Sequence, residues 1–279
     1  MTPASVLEAR GYDPFCAISV LGTIHALADA SHSKDMSDLV TAGKWKGELL
    51  FTLGKIAAPR YANFIGRYRD DPAVDVRAGA AAGLGLIDND AVTVPVLIHM
   101  LARNDRPDEF MVKWEAMRSL TALAKRKPSD ALRRRLGELL REPGGMTLVL
   151  TARVLAAMAD ARGVEKLREL TTHTDRRVRR EAVLALGELA DAGSRAAVTR
   201  RLEDDAVSVR AAAVYALARI GGAAVAPVLR KAVEDTLALE RTLEARHPRG
   251  NRPELLTEQY GVGEFDVRET LQEALGLGR

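Results

Sequence analysis

Five histidines, one cysteine and a run of arginines are the residues of this 279-residue chain whose types could do chemistry. His25, His32, His99, His173 and His247 stand far apart, and no two share the i,i+4 spacing that lets one helix face hold a metal ion. Cys16 follows Phe15 in an apolar stretch, the setting of a small buried residue rather than of a reactive thiolate. As the single cysteine it excludes an intrachain disulfide and suits a reducing compartment. The chain has no G-x-x-x-x-G-K-[ST] phosphate loop, no G-x-S-x-G nucleophile turn and no dinucleotide fingerprint; Gly83-Leu84-Gly85 reads as helix-end glycine. We therefore expect no catalytic residue, no metal and no cofactor. What remains is ionic. The stretch Thr174 to Leu189, T-D-R-R-V-R-R-E-A-V-L-A-L-G-E-L, sets Arg176, Arg177, Arg179 and Arg180 at one helix start. Arg133-Arg134-Arg135 and Arg200-Arg201 add to it, so residues 125–210 carry 19 basic and 13 acidic residues. The whole chain has 41 basic and 38 acidic residues, a net charge of +3 that is too mild to argue for nucleic acid by itself.

The elements that must position these arginines are visible as a repeat. The Val178-Arg179 pair returns 31 residues later as Val209-Arg210, again after an acidic turn and before an Ala/Leu-rich helix. Taking the Arg as a ruler, clear equivalents are Arg77, Arg179, Arg210 and Arg268, and weaker ones Lys46, Lys113 and Val149. The spacings from Lys46 are 31, 36, 36, 30, 31 and 58. A Leu-Gly pair often follows seven residues on, as in Leu53-Gly54, Leu84-Gly85 and Leu186-Gly187, and Leu21-Gly22 fits with Pro14 in the ruler slot. Before each ruler position runs another segment with helical spacing: 59–68, 93–101, 132–140, 164–170, 196–202 and 225–233. Pro95 and Pro227 fall in the expected first turns, where a missing N–H costs nothing. Short turns such as Asp70-Asp71-Pro72, His173-Thr174-Asp175 and Asp204-Asp205 supply side chains that can cap the second helix. A period of this length is the mark of stacked helix pairs, with about eight second helices. With 47% hydrophobic but only 4% aromatic residues, the core must be Ala, Leu and Val, which suits closely packed helices. One repeat domain over 1–279 is expected, broken by a lengthened turn at 103–110 and an insertion at about 234–263, and closed by a polar-faced capping helix at 266–277.

The pattern D-x-x-V-R-x-x-A-x-x-A-L-G-x-L, best kept at Arg179 to Leu189 and Arg210 to Ile220, resembles the HEAT-repeat family. It is similar in particular to the short bacterial type, the phycobilisome-lyase HEAT-like repeats. The resemblance spans roughly 13–277 and is strong over about half of that. It implies an all-α, right-handed solenoid, an α-α superhelix of antiparallel helix pairs in which the second helix lines the concave side. It also implies that Arg77, Arg179, Arg210 and Arg268 are structural, bridging to acidic turn residues (Asp71, Asp175, Asp204) or to carbonyls. One HEAT-like enzyme, deoxyhypusine hydroxylase, holds iron through His-Glu dipeptides; this chain contains none. Nothing in the sequence identifies a bilin pocket.

Fold does not fix function, so the variable positions carry the functional reading. With Ala and Leu-Gly positions buried, the second helices leave Lys55, Trp114, Arg118, Arg153, Arg177, Arg180, Glu181, Tyr215 and Arg219 for a partner. Trp, Tyr and Arg are the types enriched at binding hot spots. The expectation is a non-enzymatic scaffold that binds a protein or peptide on the concave face. The alternative is nucleic-acid binding through the basic 125–210 region, and the bland reading packs Trp114 and Tyr215 between repeats. No basic n-region with an apolar run opens the sequence and no apolar stretch nears the ~20 residues of a membrane helix, so a cytoplasmic protein is expected.

Overall fold

In a computed structural model, residues 33–43, 46–56, 59–103, 109–142, 144–221, 225–246 and Ala274 are described. The expected first repeat around Pro14 and Leu21-Gly22, the loop at 247–263, and the capping helix with Arg268 lie outside them, except that Ala274 is helical and buried. Among the described residues every regular element is helical. They form two compact units, Met1–Leu132 and Arg133–Arg279.

In the first unit, α1 (Ser33–Thr41) pairs with α2 (Lys46–Ile56). Next, α3 (Ala62–Gly66), extended by 3-10 turns at Pro59–Tyr61 and Arg67–Asp70, pairs with α4 (Val74–Leu84). Then α5 (Asp90–Leu101) pairs with α6 (Phe110–Arg126). The second helices α2, α4 and α6 stack side by side, which is the layering the 31-to-36-residue period predicts. Glycine makes the α2–α4 contact possible. A Cβ at Gly54 would lie 2.1 Å from the Gly83 carbonyl oxygen, and one at Gly79 would lie 2.1 Å from that of Gly47, so the backbones touch. Leu49, Leu50, Leu53, Leu84, Leu97, Met100 and Leu120 fill the core behind this seam.

One local expectation fails in this unit. Helix α5 begins at Asp90, three residues earlier than the sequence pattern indicates, so Pro95 is its sixth residue and not in the first turn. The earlier start arises because the Asn89 carbonyl accepts from both Val92 N and Thr93 N, opening the helix before the apolar periodicity does. Pro95 then removes one i→i−4 donor from within the helix.

The second unit continues the scheme. Helix α7 (Asp130–Leu139) precedes α8 (Gly145–Ala157), and α9 (Ala161–Leu170) precedes α10 (Arg176–Glu188). Then α11 (Arg195–Thr199), flanked by 3-10 turns at Ala192–Ser194 and Arg200–Glu203, precedes α12 (Val207–Gly221). The long α13 (Ala226–Arg246) carries Pro227 in its first turn and runs through the first half of the expected insertion as a continuous helix. Asp160 and Asp175 cap α9 and α10, accepting from Arg162 N at 3.1 Å and Arg177 N at 2.9 Å. The second helices α8, α10 and α12 pack side by side over a core of Val149, Ala152, Leu186, Ala213, Val214 and Leu217, into which Ala274 also packs.

Candidate functional site

The ruler cations sort themselves into structure. Arg179 is buried and makes a fork to Asp204, with Nε to Oδ2 at 2.9 Å and Nη2 to Oδ1 at 2.7 Å, and adds Asp205 at 2.6 Å. Its Nη1 donates to the His173 and Thr174 carbonyls of its own turn at 2.9 and 3.0 Å. Arg77 repeats this: Nη1 donates to the Asp71 and Pro72 carbonyls, and Nη2 reaches Glu109 at 2.8 Å. Arg210 donates to the Asp204 carbonyl at 2.5 Å. The weak ruler matches behave alike: Lys46 pairs with Asp71 at 3.2 Å and buried Lys113 donates to the Arg103 carbonyl. Arg77, Lys113, Arg179 and Arg210 thus tie their own turns, and Lys46, Arg77 and Arg179 hold an acid of the next repeat. Asp175 is structural by another route than a bridge to Arg179: it caps α10 and holds Arg177 (Nη2 to Oδ2 at 2.6 Å). The hydrogen bond from the Arg177 side chain, ahead of backbone and Coulombic help, keeps the Asp175 carboxyl below the usual carboxylate range despite partial burial.

The second-helix positions named for binding divide as well. Arg180 and Glu181 are not available: they are 2% and 7% exposed, and they bond to each other at 3.0 to 3.1 Å. By the ruler, Arg180 is equivalent to Leu150 and Ala211, and Glu181 to Thr151 and Ala212, all of them buried. A second helix in mid-stack is flanked by neighbours on two sides, so only a narrow arc faces water. Arg177 is half-buried at the turn. The arc itself carries Arg153, Glu188, Tyr215 and Arg219. Arg153 ion-pairs with Glu188, and the Arg219 guanidinium lies 5.7 Å from the Tyr215 ring centroid while its Nε donates to the Gly187 carbonyl at 3.2 Å. Tyr215 is half-buried against the core, so it both packs and shows a face.

Glu188 was not singled out from the sequence. Its side chain is 49% open to water, yet desolvation by surrounding protein pushes its carboxyl above the usual range; the Arg153 guanidinium opposes this, and Glu181 adds to it.

In the first unit the corresponding arc forms an open hollow of about 350 Å³, lined by Phe51 of α2, Ala82 of α4, Leu86 just beyond it, and Glu115, Arg118 and Ala122 of α6. Phe51 and Leu86 are 37% and 42% exposed. Arg118, 61% exposed, reaches Glu115 at 3.1 Å. Trp114 is half-buried, with its ring 5.7 Å from that of Phe110, and does not line the hollow. Phe51 and Leu86 were legible only as apolar residues adjoining the Leu-Gly marks, Phe51 two before Leu53 and Leu86 directly after Gly85. Among the histidines, His99 bonds Asp70 at 3.0 Å and His173 Nδ1 accepts from Asp175 N; the other three lie outside the described residues. The basic 125–210 stretch does not converge on one strip. Arg135, Arg162 and Lys166 pair locally with Glu138, Asp160 and Glu169, and Arg168 of α9 pairs with Asp191 in the turn before the 3-10 segment of the next repeat. No helix among the described residues is long and apolar enough to cross a membrane.

Comparison with known proteins agrees with the repeat reading. The family model for HEAT repeats matches residues 136–209 and 164–247. No curated protein matches the chain. Among solved structures, the chain is similar to the complex of CpcE and CpcF of phycocyanin lyase from Nostoc sp. PCC7120, at 15% identity over 79% of this chain and 88% of that one, with a TM-score of 0.43. It is also similar to human deoxyhypusine hydroxylase in complex with glycerol, at 16% identity over 92% and 99% of the two chains, with a TM-score of 0.39.

Proposed function

From the HEAT repeats that residues 136–247 carry, a repeat type used generally as a protein-interaction scaffold, we infer that the chain is a non-enzymatic adaptor. It binds a segment of a partner protein on the open arc of its second helices, and it works in the cytoplasm. The observation that supports this reading is the exposure of Phe51 and Leu86 on one hollow. Bulky apolar side chains left facing water in a concave setting gain most from a partner that removes them from water, about 25 cal/mol per Å². The basic residues of 125–210 give nucleic acid less support, because so many are matched by acids on separate helices.

The test is site-specific photo-crosslinking in the native host. A crosslinking amino acid at Phe51 should trap one protein partner, and the same probe at Ala91, exposed on first helix α5, should not. The variant Leu86→Ser should lower the yield at position 51. Equal, unspecific adducts at both positions would end the reading.

A further inference from the structure

We propose that the hollow of the first unit docks a short acidic, amphipathic segment of a partner protein, placing one or two bulky apolar side chains on Phe51 and Leu86 and its carboxylates against the surrounding cations. The proposal rests on the adaptor reading and names the partner's chemistry.

Two of the three large hydrophobic side chains exposed among the described residues, Phe51 and Leu86, share this one hollow. Between them the lining is small: Ala82, Gly85, Ser119 and Ala122 leave room that no side chain among the described residues of the unit fills. Its volume of about 350 Å³ lies at the low end of the range of ~300–1,000 Å³ for ligand sites and suits side chains rather than a large enclosed cofactor. The helix spacing then sets the charges. Glu115, Arg118, Ser119 and Ala122 fall at i, i+3, i+4 and i+7, one face of α6, and Lys125 continues it three residues on. Lys55 stands at i+4 from Phe51 on α2 and is exposed. Arg126 donates to the Gly85 carbonyl at 2.6 Å, so its guanidinium also sits beside the lining. Against Lys55, Arg118, Lys125 and Arg126 stand Glu115, which Arg118 already engages, Asp88 in the turn beyond Leu86, and Glu48, exposed three residues before Phe51 on α2. The excess is one cation around an apolar hollow, and with Glu115 already engaged by Arg118 the unengaged charge on α2 and α6 is mainly positive, which is the complement of an acidic, amphipathic segment. A second copy of this chain, itself carrying +3, is the poorer electrostatic match.

The experiment displays random peptides of about 16 residues and selects them on the full chain. A counter-selection on Phe51→Ser/Leu86→Ser keeps only groove-dependent binders, with circular dichroism checking that both proteins are folded. Groove-dependent sequences should be enriched in Asp and Glu around Leu, Phe or Trp. They should bind roughly tenfold more weakly to Lys55→Glu/Lys125→Glu, and more weakly at 0.5 M than at ~0.1 M salt. Groove-dependent binders that are neutral or basic would overturn the acidic assignment while leaving the adaptor reading intact. No groove-dependent binder at all would overturn both. A concentration-dependent dimer abolished by Phe51→Ser/Leu86→Ser would assign the hollow to a second copy, and displacement of the peptides by an oligonucleotide would assign it to nucleic acid; either result overturns the proposal.

Discussion

Replacing Arg179 by Met removes the guanidinium and keeps much of the apolar stem, so it isolates the ionic lock between two repeats. The Asp204 side chain is 2% exposed. Burial pushes its carboxyl up, but hydrogen bonds from the Arg179 side chain and Ala206 N, with the Arg179 charge, outweigh burial and leave it below the usual carboxylate range. In Arg179→Met that carboxylate stays buried with the Ala206 N–H and, as its nearest remaining cation, Arg201 at 3.4 Å, and the His173 and Thr174 carbonyls lose their donor. Breaking a buried pair from one side costs about 3–5 kcal/mol, a third or more of a typical domain stability of ~5–15 kcal/mol. Urea unfolding followed by circular dichroism measures it, and hydrogen exchange of α10 and α12 amides reports the loss locally, since a repeat array can open repeat by repeat. Asp204→Asn keeps a side-chain acceptor for the Ala206 N–H, so the double variant should lose about 1–3 kcal/mol less than the sum of the singles. The pH dependence has a defined sign. A depressed carboxylate contributes stability that is present above its unfolded value of ~3.9 and lost as the pH falls through its lower folded value. The gap between wild type and Arg179→Met should therefore be widest at neutral pH and narrow most steeply below about pH 4. A loss under about 1 kcal/mol, or singles that add within ~0.5 kcal/mol, would refute an inter-repeat lock at this position.

Phe51→Ser should cost under about 1 kcal/mol because the ring is already partly in water, whereas Leu50→Ala, one residue away and fully buried, should cost ~2–5 kcal/mol; thermal melts of the two variants compare them. Gly83→Ala sets a Cβ 2.4 Å from the Leu50 carbonyl oxygen and should destabilise the first unit by about 1–3 kcal/mol despite alanine's better helix propensity, and an unchanged melt would contradict the glycine seam. Asp175→Ala removes the α10 cap and should cost ~0.5–2 kcal/mol at pH 7, with the difference from wild type fading in acid as the depressed Asp175 carboxyl protonates. Glu188 has a raised folded value, so its ionisation works against folding. Relative to Glu188→Gln, wild type should gain stability as the pH falls from 7 toward 4, and a flat or opposite trend in pH-dependent unfolding would contradict the desolvation of this carboxyl.

The repeat was legible because it is written locally. Asp, then Val-Arg, then Ala and Leu-Gly recur at fixed offsets, and each does a local job: cap, tie to the turn carbonyls, and allow close approach. Lys46 and Lys113, weak matches by type, each keep one half of the arginine's role: Lys113 ties its own turn and Lys46 holds the acid of the next repeat. The acid partner of each ruler cation was less legible, since it lies a repeat away, at Asp71 and Asp204 for Lys46 and Arg179 but at Glu109 for Arg77. The longer turn of the α5–α6 repeat shifts that offset.

Among the described residues, the sequence by itself determined the helical pairs, the second-helix starts and the structural role of Arg77, Arg179 and Arg210, because helix periodicity and capping act within a turn or two of the chain. Only the tertiary structure decided which arc of each second helix meets water. Arg180 and Glu181 look like binding residues by type, but neighbouring second helices cover them on both sides. Phe51 and Leu86 look like core residues by type, but the small side chains opposite, Ala82, Gly85 and Ala122, leave them facing an open hollow. Exposure depends on what the adjacent repeats bring to the seam, and no single repeat contains that information.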